Sequence, residues 1–159
     1  GYSKFIENSV MSGLDGLTIP DLPVEENQEI FEIARRNDFK VVCFIAPTTT
    51  DQRVSLITQK AQGFLYYISV VGITGIRDKL PDDIIQNINK LKQMTNIPVA
   101  VGFGVSTSEH AKLIGTVADG VIVGSAIMRE IEKYAKEPSE ELVRGVGEFV
   151  GQLISGAKG

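Results

Sequence analysis

The chain has 159 residues, of which 43% are hydrophobic, and it carries a formal net charge of -4 at pH 7. This length predicts one domain with one hydrophobic core, since most domains hold about 100–150 residues. The acidic balance and the scattered basic residues argue against nucleic acid as a partner, because such partners usually meet clustered lysines and arginines. No apolar run reaches the roughly 18 residues of a membrane span and no signal-peptide pattern begins the chain, so we predict a cytoplasmic protein without a membrane partner.

Five short apolar runs alternate with segments of helical period. The runs are continuous rather than alternating in polarity, which is typical of strands in a parallel sheet covered by helices. Cys43, the only cysteine, lies in the second run and is predicted to pack in the core as a small hydrophobic residue. The predicted strands are residues 16–19, 40–46, 64–69, 97–103 and 120–123.

Capping patterns predict where several helices begin. A first helix is predicted over residues 3–12, just before a glycine. Thr49 with Gln52, and Ser106 with Glu109, have the spacing of a capping box. These pairs predict helix starts just after the second and the fourth strands.

Two further helices are predicted from apolar stripes. One covers residues 81–95, with Pro81 at the first helical position. The other opens at Pro138, ends near Gly156 and is predicted to lie flat against the sheet. The stripes are Ile84, Ile88 and Leu91 in the first helix, and Leu142, Val146, Phe149, Val150 and Leu153 in the second.

Repeated strand-helix units imply a parallel sheet with right-handed crossovers, in either a doubly wound sheet or a barrel. A doubly wound sheet often has a glycine-rich turn after its first strand. Here the first strand leads into Pro20-Asp21-Leu22-Pro23, and the glycine turns follow the last two strands. We therefore predict the α/β class and a (β/α)8 TIM barrel, of which this chain holds about five βα units. Residues 1–159 would be a single partial barrel domain that lacks the N-terminal strands 1–3.

The two glycine turns have the chemistry of a phosphate site. Gly104 follows the fourth strand, and Gly124 with Ser125 follows the fifth. Glycine lets backbone N–H groups approach an anion, and a helix N-terminus adds a favourable dipole. The last two loops of a barrel often build such a site, so the sequence predicts a ligand with a phosphate end.

Six short motifs follow one another along the chain. They are Pro20-Asp21-Leu22-Pro23, Ala46-Pro47-Thr48-Thr49, Tyr66-Tyr67-Ile68-Ser69, Gly72-Ile73-Thr74-Gly75, the run from Ile97 to Ser106 and the run from Ala118 to Ala126. In this order and spacing they resemble the alpha subunit of tryptophan synthase. The resemblance covers essentially the whole chain, as the C-terminal portion of that family, from about strand 4 to strand 8 of the barrel.

The resemblance implies a lyase of tryptophan biosynthesis, which splits indole-3-glycerol phosphate into indole and glyceraldehyde 3-phosphate by a retro-aldol reaction. It implies a beta subunit as partner, which holds PLP and receives the indole, and no cofactor in the alpha type itself. It places the acid–base glutamate and aspartate on strands 2 and 3, which would precede Gly1. We therefore assign no catalytic residue within this chain and expect the chain alone to be inactive.

The resemblance also implies a substrate site built from three groups of residues. Backbone donors to the phosphate are implied at Gly75, Gly104, Gly124 and Ser125. The pocket and its mobile loop are implied to involve Tyr66, Thr74 and Phe103. Three residues are implied to lie beside the pocket: Asp21, Ile68 and Gly72.

Three interpretations stay open from the sequence. The first is a lyase subunit, and the second is another phosphosugar enzyme of the same barrel class, against which Tyr66 and residues 72–75 count. The third is a non-catalytic phosphate-binding protein that activates a partner. His110, the only histidine, is predicted to face solvent without a role, and no metal site is predicted.

Overall fold

The computed structural model of the chain describes residues 1–68, 83–102 and 104–158. Helices and strands alternate as far as β5, as predicted, and two helices follow it. The helices are α1 (Tyr2–Met11), α2 (Gln28–Arg36), α3 (Asp51–Lys60), α4 (Ile84–Met94), α5 (Ser108–Gly115), α6 (Ser125–Lys133) and α7 (Ser139–Lys158). The strands are β1 (Gly16–Thr18), β2 (Lys40–Ile45), β3 (Leu65–Ile68), β4 (Val99–Gly102) and β5 (Gly120–Val121). None of these helices combines the length and the apolar content needed to cross a membrane.

Within the described residues, the five strands form one parallel sheet in the order β1-β2-β3-β4-β5. Leu65 pairs with Val99, and Ala100 pairs with Gly120, so each strand lies beside its neighbour in sequence. A doubly wound sheet reverses its strand order, whereas a barrel winds in one direction. The prediction of an α/β fold with five parallel strands is confirmed, and the strand order favours the barrel.

The two faces of the sheet differ in burial. Val41, Cys43 and Ile45 alternate along β2, belong to the hydrophobic core with the helices and are at most 4% exposed. The prediction that Cys43 is buried is therefore confirmed. The intervening residues form rows across the opposite face, where Val42 and Gly102 are buried and the other such residues of β2, β3 and β4 are half-buried. We call this opposite side the open face, and it carries Phe44, Tyr66, Ile68 and Ala100.

The last helix packs on other helices rather than flat on the sheet, so the prediction of its position is wrong. The main contacts of α7 are with α5 and α6. The backbones of α5 and α7 come close, because a Cβ on Gly156 would collide with the carbonyl of Ser108. Leu153, the last member of the predicted stripe, is buried, and the helix continues to Lys158.

The helix after β2 begins one residue later than predicted. Thr50, rather than Thr49, caps α3, and its Oγ1 accepts the N–H of Arg53 at 3.4 Å. Thr49 instead accepts the N–H of Ala46 at 3.0 Å and so closes the turn that leaves β2. Two adjacent threonines therefore divide the roles of turn and cap.

The helix predicted over residues 81–95 is α4, which begins at Ile84 after Asp83. Its stripe of Ile84, Ile88 and Leu91 is buried, as predicted. Pro81 and the residue after it lie outside the described residues, as do the predicted strand ends at residues 69 and 103.

Candidate functional site

Two loops leave one edge of the sheet side by side. Val101 of β4 pairs with Val121 of β5, and the N–H of Ile122 donates to the Val101 carbonyl at 2.8 Å. Gly104 lies on the loop that follows β4, and Gly124 lies on the loop that follows β5. This is the C-terminal edge of the strands, where barrels place their ligands.

Gly104 has a backbone conformation that favours glycine. Its φ of 85° lies in the left-handed region, which residues with a Cβ rarely adopt. Three residues later Thr107 caps α5, so the glycine turn leads the chain from the strand into the helix. Phe103, which precedes this turn, lies outside the described residues.

Side-chain hydrogen bonds hold the start of α5. Thr107, rather than the predicted Ser106, is the cap, and its Oγ1 accepts the N–H of His110 at 3.2 Å. The N–H of Glu109 and the hydroxyl of Thr107 lower the pKa of the Glu109 carboxyl. His110 is half-buried, and its Nδ1 accepts the N–H of Ser106 at 3.4 Å. The prediction that His110 faces solvent is therefore wrong, whereas the prediction that it has no functional role is untested.

The start of α6 is open. Gly124 precedes the helix and Ser125 is its first residue, and both are exposed. A Cβ on Gly124 would meet no atom within 4 Å. The first N–H groups of a helix have no acceptor within it, and no side chain of the described residues caps α6. These donors and the positive end of the helix dipole are therefore accessible to an anion.

Tyr66 lies on the open face against Gly102. Its register partners are Phe44 of β2 and Ala100 of β4. The rings of Phe44 and Tyr66 are tilted by 35°, with centroids 5.0 Å apart, and a Cβ on Gly102 would overlap the Tyr66 ring. Burial raises the pKa of the Tyr66 phenol, which favours the neutral hydroxyl. Tyr66 thus places an apolar wall with a polar tip beside the strand that leads to Gly104.

The other predicted residues are separated from these loops or lie outside the description. Ile68 ends β3 on the open face and pairs with Gly102. Asp21 is exposed after β1, at the opposite edge of the sheet from β5, so the structure does not bring it to the glycine loops. A cavity of about 240 Å³ lies near it, and its lining includes Pro20 and Ile68. The predicted residues outside the described ranges are Gly72, Thr74, Gly75 and Phe103.

Sequence reasoning missed three residues of this region: Phe44, Gly102 and His110. Phe44 and Gly102 touch Tyr66 from neighbouring strands, and only the register of the sheet identifies them. His110 could have been found from the sequence, because it stands three residues after Thr107, which is the spacing of a capping box.

Comparison with known proteins identifies the family of the chain. A family model described as tryptophan synthase alpha chain matches residues 1–157. The chain belongs to the tryptophan synthase alpha chain family. The resemblance that the motifs suggest is therefore confirmed.

Individual tryptophan synthase alpha chains agree with this assignment. Those of Acinetobacter baumannii and a Thermoanaerobacter species are each 42% identical, over 89% and 96% of this chain. The matched parts are 53% and 57% of those relatives, so this chain spans little more than half their length.

Solved structures of the family share the fold. Tryptophan synthase subunit alpha from Legionella pneumophila superposes with a TM-score of 0.84 at 29% identity, covering 99% of this chain and 57% of that one. The tryptophan synthase α2β2 complex of Pyrococcus furiosus gives a TM-score of 0.81 at 38% identity, covering 95% of this chain and 61% of that one. Alpha subunits of this family are TIM barrels, so the predicted fold class is confirmed.

Proposed function

We propose that this chain forms the substrate-binding part of a tryptophan synthase alpha subunit, the lyase that splits indole-3-glycerol phosphate into indole and glyceraldehyde 3-phosphate. One observation carries the proposal. In a chain of this family, two glycine loops lie side by side at the C-terminal edge of the sheet, and each leads into a helix N-terminus. Family membership favours this function over another phosphosugar enzyme.

The phosphate end of the substrate is proposed to bind backbone N–H groups rather than a cation. Gly104 contributes the left-handed turn before α5, and Gly124 with Ser125 contributes the exposed start of α6. Gly75 is proposed as a further donor. Helix dipoles and groups of N–H donors can hold a phosphate dianion without lysine, which fits the scattered basic residues of this chain.

The indole end is proposed to lie along the open face. The Tyr66 ring is half-buried there, and such a ring offers an apolar surface with one hydrogen-bonding tip. Phe103 is proposed to shape the pocket between this ring and the phosphate loops. Thr74 is proposed to belong to a loop that closes over the substrate and excludes water. Three residues are proposed to lie beside the pocket: Gly72 in that loop, Ile68 at the end of β3 and Asp21 after β1.

The reaction needs one group to protonate the indole ring carbon and one to take the proton of the glycerol hydroxyl. The family resemblance places these groups on barrel strands 2 and 3, whereas residues 1–159 are proposed to form one partial domain with about strands 4–8. The half-buried state of Tyr66 and Ala100 supports this division, because further strands would cover the open face. The chain alone is therefore expected to bind the phosphate end of the substrate without releasing indole.

The proposed partner is a tryptophan synthase beta subunit, which would receive the indole. The Pyrococcus furiosus relative is described within an α2β2 complex. In this proposal the chain itself needs no cofactor, because its chemistry is acid–base chemistry and PLP belongs to the beta subunit.

Glycerol 3-phosphate tests the phosphate site, because it carries the phosphate end of the proposed substrate. Ser125→Asp places a carboxylate at the start of α6, where it would compete with the ligand for the same N–H groups. An acidic residue at a helix start is favourable, so the variant is expected to fold. We expect glycerol 3-phosphate affinity, measured by calorimetry or NMR titration, to fall at least tenfold.

Ser139→Asp is the matched control. Ser139 is the exposed first residue of α7, so the same substitution stands at the same position of another helix. Its affinity for glycerol 3-phosphate is expected to stay within about twofold of the unsubstituted chain. Equal losses in both variants, or binding that Ser125→Asp leaves unchanged, would contradict the proposed site.

A further inference from the structure

His110 joins the loop after Gly104 to the first turn of α5. The N–H of Ser106 donates to Nδ1 of His110 at 3.4 Å, and the Ser106 Oγ lies 3.4 Å from the same nitrogen. In the other direction, the N–H of His110 donates to the Thr107 Oγ1 at 3.2 Å. Hydrogen bonds thus run both ways between the loop and the helix.

This arrangement is a capping box in which histidine replaces the usual glutamate or glutamine. In the common form the third residue of the helix reaches back to an N–H at the cap. Here the acceptor is a ring nitrogen, and it reaches Ser106, one residue before Thr107. A nitrogen that accepts an N–H carries no proton of its own, so this hydrogen bond requires the ring proton to be on Nε2.

The position of this bond matters because the loop is short. Gly104 adopts a left-handed conformation, but a glycine can leave that conformation at little cost. Only Val105 and Ser106 separate Gly104 from the cap Thr107, so fixing Ser106 restricts the directions of the N–H groups around the glycine. An anion site made of backbone donors depends on such fixed directions.

We infer that His110 is a positioning residue of the phosphate site, holding the Gly104–Thr107 loop in its binding conformation by accepting the Ser106 N–H at Nδ1. This inference rests on the proposed function. His110 acts through the loop and does not touch the phosphate, because the Ser106 N–H is already bound within the protein. The two exposed donors of the second loop, at Gly124 and Ser125, do not depend on it.

Two substitutions distinguish the effect of the acceptor atom from the effect of the size of the side chain. His110→Asn retains an acceptor oxygen about where Nδ1 stands, whereas His110→Leu has the same branching and no acceptor. Losing one hydrogen bond is expected to weaken the binding of inorganic phosphate about fivefold in His110→Leu, and His110→Asn is expected to restore most of it. Leu113→Asn, at an exposed position of the same helix, is the matched control and should bind like the unsubstituted chain.

NMR titration of the full chain with inorganic phosphate at pH 8 measures both the phosphate affinity and the position of the ring proton of His110. The amide shifts of Gly104, Gly124 and Ser125 report binding, and the ring ¹⁵N shifts of His110 are expected to report a proton on Nε2. A proton on Nδ1 would overturn the inference, and so would equal phosphate affinity in His110→Leu and the unsubstituted chain. A His110→Asn variant as weak as His110→Leu would also overturn the acceptor role.

The outcomes also distinguish this inference from the proposed function. If phosphate shifts none of the three amides in the unsubstituted chain, the phosphate site itself fails, and the inference fails with it. If phosphate shifts them equally with and without the acceptor at residue 110, the site stands and only the role of His110 fails.

Discussion

Tyr66 owes its position to the absence of a side chain on Gly102. The phenol ring fills the space where a Cβ of Gly102 would stand. On its other side the Phe44 ring lies 5.0 Å away between centroids. The Tyr66 ring of β3, with Gly102 of β4 on one side and the Phe44 ring of β2 on the other, therefore forms the wall of the proposed indole pocket.

Gly102→Ala should displace the Tyr66 ring. Inserting a methyl group into a filled space typically costs about 1–3 kcal/mol, and we expect that loss in the free energy of unfolding measured by urea denaturation. Gly120→Ala is the control, because its Cβ would meet Ala100 at an ordinary contact distance of 3.4 Å. Similar stability of the two variants would show that the ring does not depend on Gly102.

Helices α5 and α7 come close to each other at two glycines. A Cβ on Gly156 of α7 would collide with the Ser108 carbonyl, and a Cβ on Gly115 of α5 would collide with the Ala157 carbonyl. Since α5 begins at the proposed phosphate loop, the packing of α7 on α5 also helps to fix the position of that loop. Main-chain atoms cannot move aside as a flexible side chain can, so the glycines are required for the approach.

The same substitution at two sites of α7 should have opposite effects. Gly156→Ala is expected to reduce the free energy of unfolding by about 1–3 kcal/mol, because the helices must separate. Gly151→Ala meets no atom within 4 Å, so better helix propensity should raise stability by about 0.5–1 kcal/mol. Thermal and urea unfolding of both variants checks the signs, and a loss in Gly151→Ala would contradict this account.

Asp119, the residue before β5, connects that strand to α4 and β4. One carboxylate oxygen accepts from Lys92 of α4 at 2.7 Å, and the other accepts the N–H of Val99 in β4 at 2.8 Å. The Lys92 bond, followed by the Val99 bond, lowers the pKa of the Asp119 carboxyl. This contact is at the N-terminal edge of the sheet, opposite the glycine loops, where we expect a role in stability.

Asp119→Asn keeps an acceptor for Val99 but removes the charge. At pH 7 we expect a loss of about 0.5–1 kcal/mol, because solvent screens a pair whose aspartate side chain is 40% exposed. A lowered pKa adds stability that is complete above the ordinary aspartate pKa of about 4 and disappears as the pH falls through the lowered value.

Urea denaturation at pH 7 and pH 3 checks this dependence, and the difference between the two proteins should shrink at the lower pH. Asp38→Asn is the control, since Asp38 pairs with Lys40 but its side chain is 94% exposed. We expect no measurable change from it. An Asp119→Asn deficit that is the same at both pH values would contradict a contribution from the charge.

Helix starts could be predicted from the sequence only to within one residue. At Thr49-Thr50 and at Ser106-Thr107 two hydroxyl residues stand together, and either could act as a cap. The second is the cap in both cases. The Thr49 side chain is used by the preceding turn, whereas the Ser106 N–H is bound by His110 of the helix itself. Such a choice depends on loop geometry, which spacing alone does not contain. The docking of α7 onto α5 likewise depends on glycine positions as well as on its apolar stripe.

At the scale of the whole molecule, burial divides the sheet into a covered face and the open face. The alternation of strands and helices and the order of the glycine loops could be predicted from the sequence, because buried parallel strands are continuous apolar runs. The contrast between Tyr67, which is 2% exposed, and half-buried Tyr66 could not, because both lie in the same apolar run. The family resemblance names Tyr66, and the register of the sheet accounts for the difference, because Tyr66 lies on the open face and Tyr67 on the core side.

The sequential order of the strands also determines how the structure can come apart. Each strand pairs only with the strands that come directly before and after it in the sequence. The sheet therefore resembles a short array of repeating units in which neighbours stabilise one another. Within the described sheet, β1 and β5 are held from one side, whereas β3 is held from both. The free energy of local opening should therefore be smallest at the two edge strands and greatest in the middle. The proposed phosphate site lies at one of those edges, so the opening of β5 and the release of a bound anion would be thermodynamically coupled.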